Sequence, residues 1–435
     1  MLLNKIFRQY DIRGKYPDDL DEFFAEKLGR STADYLENNG YVLIGCDLRP
    51  SSQLLKTSLI RGLNIGGIST IDISPCTTDM LTFATITHKT DLAIMVTASH
   101  LPLIYNGFKF SNTKGTYLLE PEREKIRAIL DNGNFRSGIG KNEEVSVIEP
   151  YLKSMKKLMN WDSSTLSGAK IAVYPMGGSA KMTTPVLLQE LGAEVTTLSH
   201  APVDLEPRED NTVAVEKEIR EKNLTLGVIN DGDGDRLAAR CADGSYISGD
   251  QLLCLFAKTY SDIGKVVVTI DSSSAVFDYV GKDLLISKVG EANYVNDALS
   301  NGAVFGGEPS GHFVDLRFTP SGSGAIFAGI LAKKALDSDL KNIINEIPKY
   351  HTFRVKVGCE DRIGFMKKLF QKFDREHDNM ISQIDGIKYR SDSSTILIRP
   401  SNTESVVRST IESKNADEAR TKTQEIKELL QKLCV

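Results

Sequence analysis

Four polar loops carry the residues whose types and spacing could do chemistry. Each follows a short apolar run: LAIMV leads into TASHLPLIYNGFK, LGVIN into DGDGDR, AVFGG into EPSGH, and TILI into RPSNTES. DGDGDR, residues 231–236, is the sharpest. Alternating glycines permit a tight turn, so the carboxylates of Asp231, Asp233 and Asp235 can converge. Three like charges that close are unfavourable unless a cation neutralises them, and all-oxygen ligation suits a hard ion such as Mg²⁺. An EF-hand loop is excluded, because its sixth and twelfth positions would be Arg236 and Ala242 rather than Gly and Glu. The other reading is an acidic solvated turn. Arg236 follows directly and suits either bidentate phosphate binding or a structural ion pair.

Ser99 in TASH offers a hydroxyl for activation, or is a turn serine. No GxSxG elbow occurs in the chain, which argues against a serine hydrolase. Lys109 in NGFKF is an acid or base candidate if its pKa is depressed, and otherwise an ordinary lysine. In GEPSGH, Glu308, Ser310 and His312 combine a carboxylate with a hydroxyl, a pair suited to sugar hydroxyls. In RPSNTES, Arg399 with Ser401, Asn402 and Thr403 reads as an anion cradle or as a capped turn. YDIRG near the start adds Tyr10 and Arg13 as further phosphate contacts.

The elements that must position these loops follow a repeat. Residues 40–73 and 168–199 each show an apolar run, a Ser/Gly/Pro loop, a helical stretch, a glycine break and a second apolar run. A weaker copy starts at 264. This is the βαβ pattern of sheets with parallel strands covered by helices. After residue 350 the order becomes helix, strands, helix, which predicts a smaller α+β domain. The expected architecture is α/β, with four domains: 1–150, 151–245, 246–349 and 350–435. Three share a mixed sheet flanked by helices. In open α/β sheets ligand sites lie beyond the carboxyl ends of strands, so the four loops point to one shared site.

Composition narrows the class. The 435 residues carry 53 Lys+Arg against 58 Asp+Glu, a net charge of -5, which excludes a strongly basic nucleic-acid protein. The six cysteines are widely spaced with no CxxC pair, so neither a disulfide framework nor a structural zinc site is expected. No run approaches a membrane span and no signal peptide is read at the N-terminus. The expectation is a cytoplasmic protein acting on a small molecule, with no nucleic-acid or membrane partner, as monomer or homodimer.

Taken together, FRQYDIRG, TASH with YNGFK, DGDGDR, GEPSGH and RPSNTE, in that order, resemble the α-D-phosphohexomutases, which include phosphomannomutase and phosphoglucomutase. The resemblance implies a Mg²⁺-dependent mutase interconverting hexose 1- and 6-phosphates through a hexose 1,6-bisphosphate. It makes Ser99 the phosphoserine and places one Mg²⁺ on Asp231, Asp233, Asp235 and a phosphoserine oxygen. Lys109 is then the matching acid/base candidate. Glu308 and Ser310 would hold sugar hydroxyls with His312 supporting them. Arg399, Ser401, Asn402 and Thr403 would hold the non-reacting phosphate, and Tyr10, Arg13 and Arg236 would line the site. The sugar and phosphate loops lean towards mannose or glucose phosphates. Phosphoglucosamine or N-acetylglucosamine phosphate is the alternative, and a non-catalytic sugar-phosphate binder is the reading from another class. Ser273, Glu291 and Ser321 stand where many members have a lysine, a histidine and an aspartate, and Leu101 where many have an asparagine.

Overall fold

Parallel strands buried on both faces read as continuous apolar runs, and the sheets are built on such runs. In the computed structural model, which describes residues 2–37, 39–200, 202–373, 379–401 and 405–434, Tyr41–Cys46 and Leu92–Val96 pair in parallel. They lie at the centre of a six-stranded sheet. Its order is Ile12–Lys15, Tyr105–Asn112, Leu92–Val96, Tyr41–Cys46, Ser69–Asp72, Asn142–Glu144. Tyr105–Asn112 runs antiparallel to Leu92–Val96, with Lys109 opposite Met95. A second, five-stranded sheet is ordered Tyr246–Ile247, Ala238–Cys241, Leu226–Ile229, Lys170–Tyr174, Glu194–Thr197. Lys170–Tyr174 and Leu226–Ile229 are its parallel centre.

Both sheets belong to one compact unit, residues 1–248 with 310–342; the other unit is 249–309 with 343–435. Within the second unit, Leu285–Ser287, Val266–Thr269 and Phe305–Gly307 pair in parallel. An antiparallel five-stranded sheet follows, ordered His351–Gly358, Val406–Ser413, Ser394–Pro400, Ile387–Ser391, Met380–Ser382. Helices Arg362–Phe373 and Ala416–Leu433 contribute Phe365, Leu369, Ile426 and Leu430 to its core. Asn415 caps the last helix by accepting from the N–H groups of Asp417 and Glu418. This is the expected α/β architecture with a smaller α+β end. No helix among the described residues is long and apolar enough to cross a membrane.

On the first sheet, helices Glu22–Tyr35 and Ser52–Ile65 meet backbone to backbone. A Cβ added to Gly62 would lie 2.0 Å from the Glu26 carbonyl oxygen, and one on Gly29 2.3 Å from that of Leu59. Gly62→Ala is therefore expected to destabilise the chain by about 1–3 kcal/mol, because overpacking outweighs the better helix propensity of alanine. A thermal midpoint unchanged or raised in calorimetry would contradict this close approach.

Candidate active site

The site is assembled from the carboxyl ends of parallel strands in the first unit. Strand Leu92–Val96 delivers Ser99, which is buried and holds φ +52°, in the left-handed region. Its Oγ donates to Asp231 Oδ2 at 2.9 Å and lies 3.3 Å from His100 Nδ1. Its N–H donates to Thr97 Oγ1 at 2.8 Å. Strand Leu226–Ile229 delivers the aspartates. Gly234 takes φ +74°, and a Cβ on Gly232 would lie 2.6 Å from the Ser99 carbonyl oxygen. The two glycines thus allow the turn and let it press against the serine loop.

Asp231, Asp233 and Asp235 are each 0% exposed, and each offers a carboxylate oxygen within 4.8 Å of the others'. Lys109 Nζ, from the adjacent antiparallel strand, donates to Asp233 Oδ2 and Asp235 Oδ2, both at 2.8 Å. Thr78, at the start of helix Thr78–His88, donates to Asp233 Oδ2 from its hydroxyl at 3.0 Å and to the Asp233 carbonyl from its N–H. Burial, then Asp235 and Asp233, raise the Asp231 pKa far above the carboxylate range. Burial also pushes Asp235 upward, but Lys109 and His312 outweigh it and hold it well below.

Lys109 contacts two of the three buried carboxylates, and Arg236 Nε stands 3.8 Å from the third at Asp231 Oδ2. Asp233 Oδ1 is buried with no hydrogen-bond partner among the described residues. An orphaned carboxylate oxygen in an all-oxygen cluster fits a hard divalent cation, so the residues present fit Mg²⁺. The depressed pKa that would make Lys109 a base is not found. Burial lowers it, but Asp233 and Asp235 carry it well above the ordinary lysine value.

Arg236 and Arg13 act on the residue next to Ser99. Burial, then the positive charges of Arg236 and Arg13, lower the His100 pKa well below the usual histidine range. Arg13, in strand Ile12–Lys15, is fixed by Asp11, Nε to Oδ2 at 2.6 Å, and Tyr10 is half-buried just before that strand. Arg236 Nε lies 3.4 Å from His312 Nε2, and the Arg236 N–H donates to Asp231 Oδ1 at 3.3 Å. His312 Nε2 is also 3.2 Å from Asp235 Oδ1, and its Nδ1 is 2.8 Å from the Ser310 hydroxyl.

The remaining sequence candidates lie in the second unit. Glu308 is buried and accepts from the Gly290 N–H at 3.1 Å. The neighbouring Val289 N–H donates to Asp385 at 3.4 Å, and Asp385 pairs with Arg399 at 3.2 Å. Arg399 Nε is buried and donates to nothing among the described residues. The Ser401 carbonyl accepts from Arg362, and its N–H donates to Val406. Asn402 and Thr403 lie outside the described residues. Ser273 caps helix Ser274–Val280, Glu291 is buried in the first turn of Glu291–Ser300, and Ser321 is buried.

Sequence reasoning gave no role to Asp47, Arg49, Thr97 or Thr78. Asp47 Oδ2 accepts from Thr97 Oγ1 at 2.7 Å and from Arg49 Nε at 3.0 Å. The signal was present: CDLRPS leaves a buried parallel strand as TASH does, and so reaches the same edge of the sheet.

Sheets of this order, with a serine hydroxyl against an aspartate triad, define a phosphoryl-transfer class of α/β protein, and comparison with known proteins agrees. The phosphoglucomutase/phosphomannomutase family matches in four successive parts: alpha/beta/alpha domain I over 4–137, domain II over 149–244, domain III over 248–350 and the C-terminal domain over 354–429. The chain is 31% identical to a protein of Pyrococcus horikoshii described as a probable phosphoglucosamine mutase, over 94% of each chain. A crystal structure of a phosphoglucomutase/phosphomannomutase family protein from Burkholderia thailandensis superposes with TM-score 0.88 at 23% identity, covering 100% of this chain and 98% of that one. The Aspergillus fumigatus N-acetylphosphoglucosamine mutase, solved in complex with GlcNAc-6P and magnesium, gives TM-score 0.60 at 13% identity, covering 100% and 97%. The chain belongs to the phosphoglucomutase/phosphomannomutase family, within the α-D-phosphohexomutases. It is an enzyme of the phosphohexomutase kind, an isomerase that moves a phosphoryl group within a sugar phosphate.

Proposed function

We propose that the enzyme interconverts a hexosamine 6-phosphate and its 1-phosphate, glucosamine phosphate first among them, through a phosphorylated Ser99 and a hexosamine 1,6-bisphosphate. The observation that carries the mechanism is the Ser99 hydroxyl held 2.9 Å from Asp231 beside a triad with an unpartnered buried carboxylate oxygen. Asp231, Asp233, Asp235 and an oxygen on Ser99 would hold one Mg²⁺, which when bound supplies charge neutralisation at the transferring phosphoryl group. Lys109, Arg236 and Arg13 add fixed positive charge around the phosphoryl oxygens, where preorganised charge favours the transition state. Lys109, held protonated between two aspartates, is suited to act as a fixed cation rather than to take a proton. Glu308, and separately the Ser310 hydroxyl with His312 on it, are of the chemistry that holds sugar hydroxyls. Arg399, with its buried Nε donor unfilled, suits the non-reacting phosphate, together with Ser401, Asn402 and Thr403.

The choice of sugar departs from the lean towards mannose or glucose. The relative at 31% identity is described as a phosphoglucosamine mutase, and GlcNAc-6P occupies a structural neighbour. Phosphorus NMR with Mg²⁺ and a trace of glucose 1,6-bisphosphate tests the choice, offering glucosamine 6-phosphate, glucose 1-phosphate and mannose 1-phosphate in separate tubes. Glucosamine phosphate is expected to isomerise at least about tenfold faster by kcat/KM, a preference worth about 1.4 kcal/mol. Faster turnover of mannose or glucose phosphate would return the assignment to those sugars.

A further inference from the structure

The left-handed backbone at Ser99 is costly for a residue with a Cβ and persists only where its surroundings over-determine it. Here one side chain makes most of the contacts to the carbonyls of that loop. Arg49 is buried, and all of its guanidinium donors are used: Nε on Asp47 Oδ2, Nη1 on the carbonyls of Pro102 and Tyr105, and Nη2 on those of Leu101 and Ser99. Three of those acceptors are backbone oxygens of the loop that carries Ser99, and the fourth, Tyr105, opens the strand that follows it. Asp47 takes the guanidinium on one oxygen together with Thr97 Oγ1, and accepts from the Ser52 hydroxyl and the Arg49 N–H on the other. Thr97 Oγ1 in turn accepts from the Ser99 N–H. The peptide groups on both sides of Ser99 are thus tied to one Asp–Arg pair, from the carbonyl side by Arg49 and from the N–H side through Thr97.

We propose that Arg49, oriented by Asp47 and assisted by Thr97, is the positioning residue that keeps the Ser99 hydroxyl aimed at the aspartate triad in every turnover; this rests on Ser99 as the phosphoacceptor. Arg49 touches no reacting atom. Its planar fork matches four carbonyls at fixed spacing, which the point charge of a lysine cannot reproduce. A misplacement of about 1 Å at a reacting group can cost about a hundredfold in rate. The clamp acts on the chemical step and leaves the sugar and distal phosphate contacts alone.

The test compares wild type, Arg49→Lys, Thr97→Val and Thr97→Ser. Phosphorylation of Ser99 by glucose 1,6-bisphosphate is followed by quenched intact mass and peptide mapping, beside steady-state kcat, KM and the thermal midpoint. Arg49→Lys is expected to slow both Ser99 phosphorylation and kcat by about a hundredfold with KM within about threefold of wild type. Thr97→Val, close in shape and without the hydroxyl, is expected to slow both by at least about tenfold, and Thr97→Ser to restore them. If Arg49→Lys does not fold, Thr97→Val against Thr97→Ser decides. Phosphorylation of folded Arg49→Lys or of Thr97→Val at the wild-type rate would overturn the positioning role, as would a loss carried by KM. Wild-type label on a residue other than Ser99 would instead overturn the phosphoacceptor reading on which it rests.

Discussion

Ser99→Ala is expected to lower turnover by about a thousandfold or more while leaving the dissociation constant of the sugar phosphate within a few fold of wild type. The substitution deletes one buried oxygen. Its cost to the fold is small, because the lost contacts are one hydrogen bond to Asp231 and a longer one with His100, and the Asp231 carboxylate still faces the Arg236 N–H. The cost to the reaction is large, because Ser99 is the proposed phosphoacceptor; among the described residues the other hydroxyl on the triad is that of Thr78, which donates to Asp233 from the first residue of its helix. Without the acceptor, the phosphoryl group has nowhere to rest between leaving one sugar oxygen and reaching the other. Steady-state rates together with a calorimetric binding titration separate the two effects. A variant that kept a tenth of wild-type turnover would remove the phosphoserine from the mechanism.

The second large effect is expected at the triad. Asp233 accepts from Lys109 and Thr78 on Oδ2 and keeps Oδ1 unpartnered, so it is placed to give an oxygen to a cation without breaking its existing contacts. Wild-type enzyme is expected to gain about 2.7 kcal/mol of stability when Mg²⁺ is supplied at a hundred times its dissociation constant, since the ion binds only the folded triad. Asp233→Asn is expected to gain less than half of that and to turn over at least about a hundredfold more slowly, a loss of about 2.7 kcal/mol of transition-state stabilisation. The removal of one of three crowded negative charges should also make the metal-free variant no less stable than metal-free wild type. Thermal midpoints with EDTA and with Mg²⁺, beside the Mg²⁺ dependence of the rate, read all three. Equal Mg²⁺ stabilisation of wild type and variant would take the cation off this triad.

What the sequence made legible was whatever rests on local chemistry. The buried parallel strands are apolar throughout, so VLIGC and LAIMV could be read as strands and the loops after them as one edge. Asp231, Asp233 and Asp235 announce their convergence because only glycine separates them. Lys109 could be named, but its charge state could not, since the raised pKa depends on two aspartates more than a hundred residues away. Arg49 was passed over for the same reason: an arginine in a βα loop is ordinary until its donors are seen on four carbonyls of another loop and the strand that follows it. GEPSGH reads as one motif, yet Glu308 falls in one compact unit and Ser310 and His312 in the other. Nothing in a six-residue motif encodes that division. Ser273 looked like an altered sugar contact; in the fold its hydroxyl caps a helix by accepting from the Ala275 N–H.

The phosphoryl group on the product is expected to come from Ser99 and not from the same sugar molecule. Enzyme carrying a ³²P label on Ser99 would be mixed with unlabelled glucosamine 6-phosphate and Mg²⁺ and quenched within one turnover. Label is expected in the bisphosphate and in glucosamine 1-phosphate, with the protein label falling in step. Label retained on the protein while product forms, or released as inorganic phosphate, would contradict it.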